Sequence, residues 1–140
     1  MKVMRSAFLG LGFLLAVSAA QAQESRVKAN IPFDFVVGDQ VMPAGEYQVS
    51  PIGGSGQAIS ILSEDRKSTA LVVTSACATS GPSKNTKLVF HALGGRYFLS
   101  QIWTAGYSQG RQLHESKAER ELAKNGTAST DMVLAANRLN

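Results

Sequence analysis

Few side chains in this sequence are of a type and spacing that could make or break a covalent bond. The densest group is Gly106-Tyr107-Ser108-Gln109-Gly110. It satisfies G-x-S-x-G, the pattern that lifts a nucleophilic serine onto a tight strand-to-helix turn. In such sites a histidine takes the serine proton and a carboxylate orients the histidine. Two histidines are available, His91 and His114. His114 follows Ser108 too closely for the order serine, acid, histidine, and no histidine comes after Asp131, the one Asp downstream of Ser108. A rearranged triad through His91 stays open, because triads are defined by geometry and not by order. The plainer reading makes Ser108 part of a glycine-relaxed loop leaving a strand.

Metal and cofactor chemistry finds less support. Cys77, His91 and His114 form no ligand-spaced pair, so neither a zinc site nor any cofactor is expected. His91 reads as a cross-strand packing partner of Phe98. Carboxylates cluster as Glu64-Asp65 in a turn and as Glu115, Glu119 and Glu121 along a helix, where solvated charge is the ordinary explanation. Cys77 ends an apolar run that starts at Leu71 and reads as a small core residue; being alone, it forbids an intramolecular disulfide. The stretch after Trp103 combines rings, glycines and a cation, and loops on rigid β scaffolds often carry binding residues. Trp103, Tyr107 and Arg111 are therefore the candidate partner-binding residues.

Positioning these groups falls mainly to strands, because the dominant hydrophobic period is two. Val27, Ala29, Ile31, Phe33, Phe35 and Val37 alternate with polar residues, and Pro32 on the outward set suggests an edge or a bulge. Tyr47 and Val49 point inward on a second strand, Ile59 and Ile61 on a third, and Ser68 to Cys77 forms a fourth. Thr86–Leu93 and Arg96–Trp103 flank Gly94-Gly95, the two-residue connection favoured by primed hairpin turns. Counting outward pairs Leu93 with Arg96, Ala92 with Tyr97, His91 with Phe98 and Phe90 with Leu99. Leu88, Phe90, Tyr97 and Leu99 then share the core face. Ser116-Lys117-Ala118-Glu119 is a capping box that starts a helix over 117–124, with Asn125-Gly126 ending it. Asp131 to Ala136 is expected as a final strand.

The 140 residues hold one domain, expected over 23–140. Residues 1–22 read as a signal peptide: Lys2 and Arg5 precede an apolar run, and Ala20-Gln21-Ala22 offers small residues at the cleavage positions. Export to the periplasm or medium follows, with no transmembrane segment in the mature chain. The net charge of +4 falls to +2 without Lys2 and Arg5. No basic run remains to suggest nucleic-acid binding.

The blocks Val27 to Val37, Met42-Pro43-Ala44-Gly45-Glu46-Tyr47, Lys87 to His91, Gly95 to Ser100, Trp103 to Tyr107 and Ser116 to Ala123, in that order, resemble small secreted proteins common in acidobacteria. The resemblance covers most of the expected mature chain; it implies export and a β-rich fold and supplies no catalytic residue. Ala92 to Gly94 and His114 depart from the pattern. The serine pentapeptide alone also resembles that of cutinases, whose fold needs alternating strands and helices over a longer chain. The expectation is an all-β sandwich or partly closed barrel of about six to seven antiparallel strands with one short C-terminal helix. Its expected role is a non-catalytic binding or structural module whose partner is an unidentified protein or envelope component. The rival is a small exported serine hydrolase using Ser108.

Overall fold

The computed structural model describes residues 26–53 and 57–139; the expected signal peptide lies outside them. The fold is mainly β with one short helix. In chain order the elements are β1 (Arg26–Ile31), β2 (Phe35–Val37), β3 (Gln40–Met42), β4 (Gly45–Ile52), β5 (Ala58–Ser63), β6 (Thr69–Ala78), β7 (Lys87–Leu93), β8 (Arg96–Trp103), β9 (Gln109–Leu113), α1 (Lys117–Lys124), β10 (Thr130–Ala135) and β11 (Asn137–Leu139). Eleven strands among the described residues replace the six to seven expected, because β2, β3 and β11 are three residues each and too short to show a period, and β9 begins within the glycine-rich stretch after Trp103 that read as a loop. No helix among the described residues is long and apolar enough to cross a membrane.

The strands follow one hydrogen-bonded path, β10-β7-β8-β9-β6-β5-β4-β1-β11, with β2 and β3 attached beside β8. The ladder does not close, and it is mixed: β2 runs parallel to β8 through Val36 and Phe98. The parallel pair arises because the chain leaves β1 at Pro32 and turns before β2 begins. Asp34 Oδ1 then accepts from the Ala44 N–H at 2.9 Å, fixing the β2–β3 excursion. Long β6 serves both halves of the sheet. Its first half, through Val73, pairs with β5, and its second, from Thr74, pairs with β9.

Alternation along these strands fills a shared core. Val27, Ala29, Ile31, Tyr47, Val49, Ile59 and Ile61 enter from one half, and Leu88, Phe90, Leu99, Ile102 and Leu113 from the other. Phe35 lies between, edge-on to both Tyr47 and Phe90, a favourable aromatic geometry. The buried Tyr47 hydroxyl donates to the Pro43 carbonyl at 2.6 Å, satisfying its polar tip. The Leu71 to Cys77 run corrects its expectation. Leu71 and Val73 face outward at 70% and 65% exposure, and Cys77 is a free, half-buried thiol.

At the C-terminus the expected last strand is present as β10, which pairs with β7 from Thr130 to Ala135. A single residue later the chain has changed halves. Ala136 donates to the Thr86 carbonyl at 3.0 Å, and β11 then pairs with β1. The two end strands of the ladder are thus neighbours in sequence.

Candidate functional site

The site grows out of the β7–β8 hairpin. Gly94 and Gly95 have φ of +56° and +75°, the left-handed region that glycine enters without steric cost. The turn sets the expected register from Leu93↔Arg96 to Phe90↔Leu99. Beyond it a bulge intervenes, since Val89 pairs with Gln101 and not with Ser100. Leu99 and Ile102 both enter the core. The extra residue therefore leaves Ser100 on the opposite side, with Phe98 and its partner His91.

Helix α1 covers that side. The Ser116 hydroxyl accepts from the Glu119 N–H at 3.1 Å, the expected N-cap. Ala118 and Leu122 pack on Val36, Leu93 and Phe98. The second half of the capping box differs from expectation, because the Glu119 carboxylate points down to the sheet. Its Oε1 lies 2.5 Å from His91 Nδ1, and Glu119 is only 6% exposed. Directly across from His91 on β10 stands Asp131, with Oδ1 3.6 Å from Nε2. Ser100, buried at 5% exposure, joins this group.

A carboxylate on Nδ1 fixes an imidazole as donor there and leaves Nε2 to accept a proton. Hydroxyl, imidazole and buried carboxylate are the parts of a serine–histidine–acid arrangement. This cluster overturns the expectation of a non-catalytic module. It also overturns the reading of Glu119 as solvated helix charge and of His91 as a packing residue alone.

Ser108 is not at a nucleophile elbow. It is exposed, its carbonyl accepts from the Thr79 N–H at 3.0 Å, and strand β9 follows it where a helix is required. Packing explains the last glycine of the pentapeptide. A Cβ on Gly110 would lie 2.7 Å from Trp103 Cε3 and 2.8 Å from the Ile102 carbonyl oxygen. His114 is exposed at the end of β9.

The three candidate partner-binding residues part company. Trp103 is buried, its indole N–H donating to Gln101 Oε1 at 3.0 Å. Tyr107 is exposed and accepts from Arg138 Nη2 at 3.1 Å. Arg111 turns back onto Thr74, donating from Nε to Oγ1 at 2.8 Å and from Nη2 to the carbonyl at 3.1 Å. Burial pushes the nearby Cys77 thiol above its ordinary range, against the lowering pull of the Gly110 backbone and Arg111, so it is a poor nucleophile. Comparison with protein-family models, curated proteins and solved structures gave no match.

Glu119 and Asp131 lie 28 and 40 positions from His91, and no turn rule links them. A signal for Glu119 was present: the capping box holds it in the first helical turn, beside the stripe that must face the sheet. Nothing comparable marks Asp131 or Ser100. One depends on the β10 register and the other on a bulge.

Proposed function

We propose that this chain is a hydrolase acting on small acyl esters, with His91 as its acid–base group. The observation that carries this reading is the 2.5 Å contact between His91 Nδ1 and the buried Glu119 carboxylate, on the face that also bears Ser100. Ser100 Oγ gives its proton to His91 Nε2 and bonds to the acyl carbon. The bond to the leaving alcohol breaks, and the alcohol takes the proton from Nε2. Water repeats the sequence, releasing the carboxylic acid and restoring Ser100. Asp131 stabilises the transient imidazolium through a separation too long for a hydrogen bond. The nearly complete burial of Ser100 favours slim acyl groups.

The charged N-terminal residues and the apolar run behind them support an exported enzyme, and the ordered sequence blocks support kinship with the acidobacterial secreted proteins. The shared core between the two sheet halves supports a sandwich-like reading of the fold. The test is labelling by a fluorophosphonate together with p-nitrophenyl acetate hydrolysis. Labelling should be stoichiometric, lost in Ser100→Ala and retained in Ser108→Ala. Glu119→Gln should lower kcat by about 10²-fold or more, the scale of acid–base assistance. Turnover unchanged in His91→Gln, or labelling lost only in Ser108→Ala, sinks this reading.

A further inference from the structure

A second feature lies away from His91, where β1, β4, β5 and the β8–β9 connection meet. There a cleft of about 180 Å³ is floored by core residues Val27, Val49, Ile59 and Ile102, and Tyr107 and Arg111 stand among its remaining walls. No acidic side chain lines it. Among the described residues no carboxylate forms an ion pair with Arg111. Its guanidinium is nonetheless held rigidly, because Nε and Nη2 are committed to Thr74. Thr74, in turn, is anchored by its own N–H and hydroxyl to the Gln57 carbonyl. A second guanidinium joins this wall through Tyr107: Arg138 sits 5.1 Å over the ring and bonds its hydroxyl. The Arg138 Nε is buried without a hydrogen-bond partner.

We propose that this cleft binds a small amphiphilic carboxylate, its hydrocarbon part on the apolar floor and its carboxylate toward Arg111. Half-buried cations without a counter-charge favour an anion, and guanidinium matches the planar carboxylate. The volume falls below that of drug-sized sites, which restricts the ligand to a short chain or a single ring. This site is separate from the proposed hydrolytic centre and does not depend on it.

The built-in reporter is Trp103, the single tryptophan, whose ring is seated on Gly110 in the cleft wall. The purified protein is titrated with octanoate, octanol and acetate while Trp103 fluorescence is followed. Octanoate should bind saturably and at least about tenfold more tightly than either octanol, which lacks the charge, or acetate, which lacks the chain. Arg111→Gln should remove the preference for octanoate over octanol. Because Arg111 also holds Thr74, a second variant leaves that anchor intact. Gln109→Glu puts a negative charge in the cleft wall and should weaken octanoate about tenfold, a loss of about 1.4 kcal/mol, with octanol unaffected. No saturable response to octanoate, equal affinity for octanoate and octanol, or indifference to Gln109→Glu each overturns the proposal. Ester hydrolysis is not read in this experiment, so its outcome leaves the His91 reading untouched.

Discussion

At His91, the ring accounts for the burial of Glu119. A carboxylate with 6% exposure has given up most of its water, and the imidazole 2.5 Å away is the polar partner that replaces it. Removing the ring therefore costs more than a surface substitution. His91→Ala should lower stability by about 1–3 kcal/mol, the penalty of leaving a buried polar group without its partner. Phe90→Ala on the core face should cost about 3–5 kcal/mol. Urea unfolding of both variants separates the two mechanisms. A loss at His91 as large as that at Phe90 would mean that the ring serves by packing, as the sequence alone suggested. The His91–Phe98 pairing was legible because Gly94-Gly95 leaves little freedom in counting outward. Glu119 was legible only as a first-turn residue of the capped helix and Asp131 not at all, because a residue's charge carries no information about which distant strand it will meet.

Among the elements, α1 is short enough to be unstable alone, yet it carries the buried acid. Two devices hold it: the Ser116 cap and the stripe of Ala118 and Leu122. Ser116→Ala should cost about 1 kcal/mol and lower ester turnover along with helix content. Ser116→Asp, which also caps, should restore both in circular dichroism and kinetic assays. Turnover that survives loss of the cap would detach Glu119 from the chemistry. The boundaries of α1 were readable because cap and terminator are local: a hydroxyl three residues from its N–H, then Asn125-Gly126 with Gly126 at φ +78°. The β7–β8 bulge was not readable. It is set where Leu99 and Ile102 must both reach a core whose shape comes from other strands. Strands β2, β3 and β11 escaped for the related reason that three residues take their conformation from the partner they join.

Across the whole molecule, the segment from Thr130 to Leu139 touches both ends of the strand path, through β7 and β1. Deleting residues 137–140 removes the pairing of Leu139, Arg138 and Asn137 with Arg26, Val27 and Lys28, and with it the Arg138–Tyr107 contact. The truncated chain should lose about 2 kcal/mol, given net backbone hydrogen bonds worth about 1 kcal/mol each, seen as a lowered Tm. An unchanged Tm would show that β11 only rests on β1. The same segment has a consequence for biosynthesis. A chain made and moved from its N-terminus forms β1 and β7 early, but both of their outer edges wait for residues 130–139 to emerge. Until then each edge offers unpaired N–H and C=O groups to any other extended chain. The nascent chain is most prone to aggregate before residues 130–139 emerge, and a helper that shields strand edges has its greatest effect in that interval.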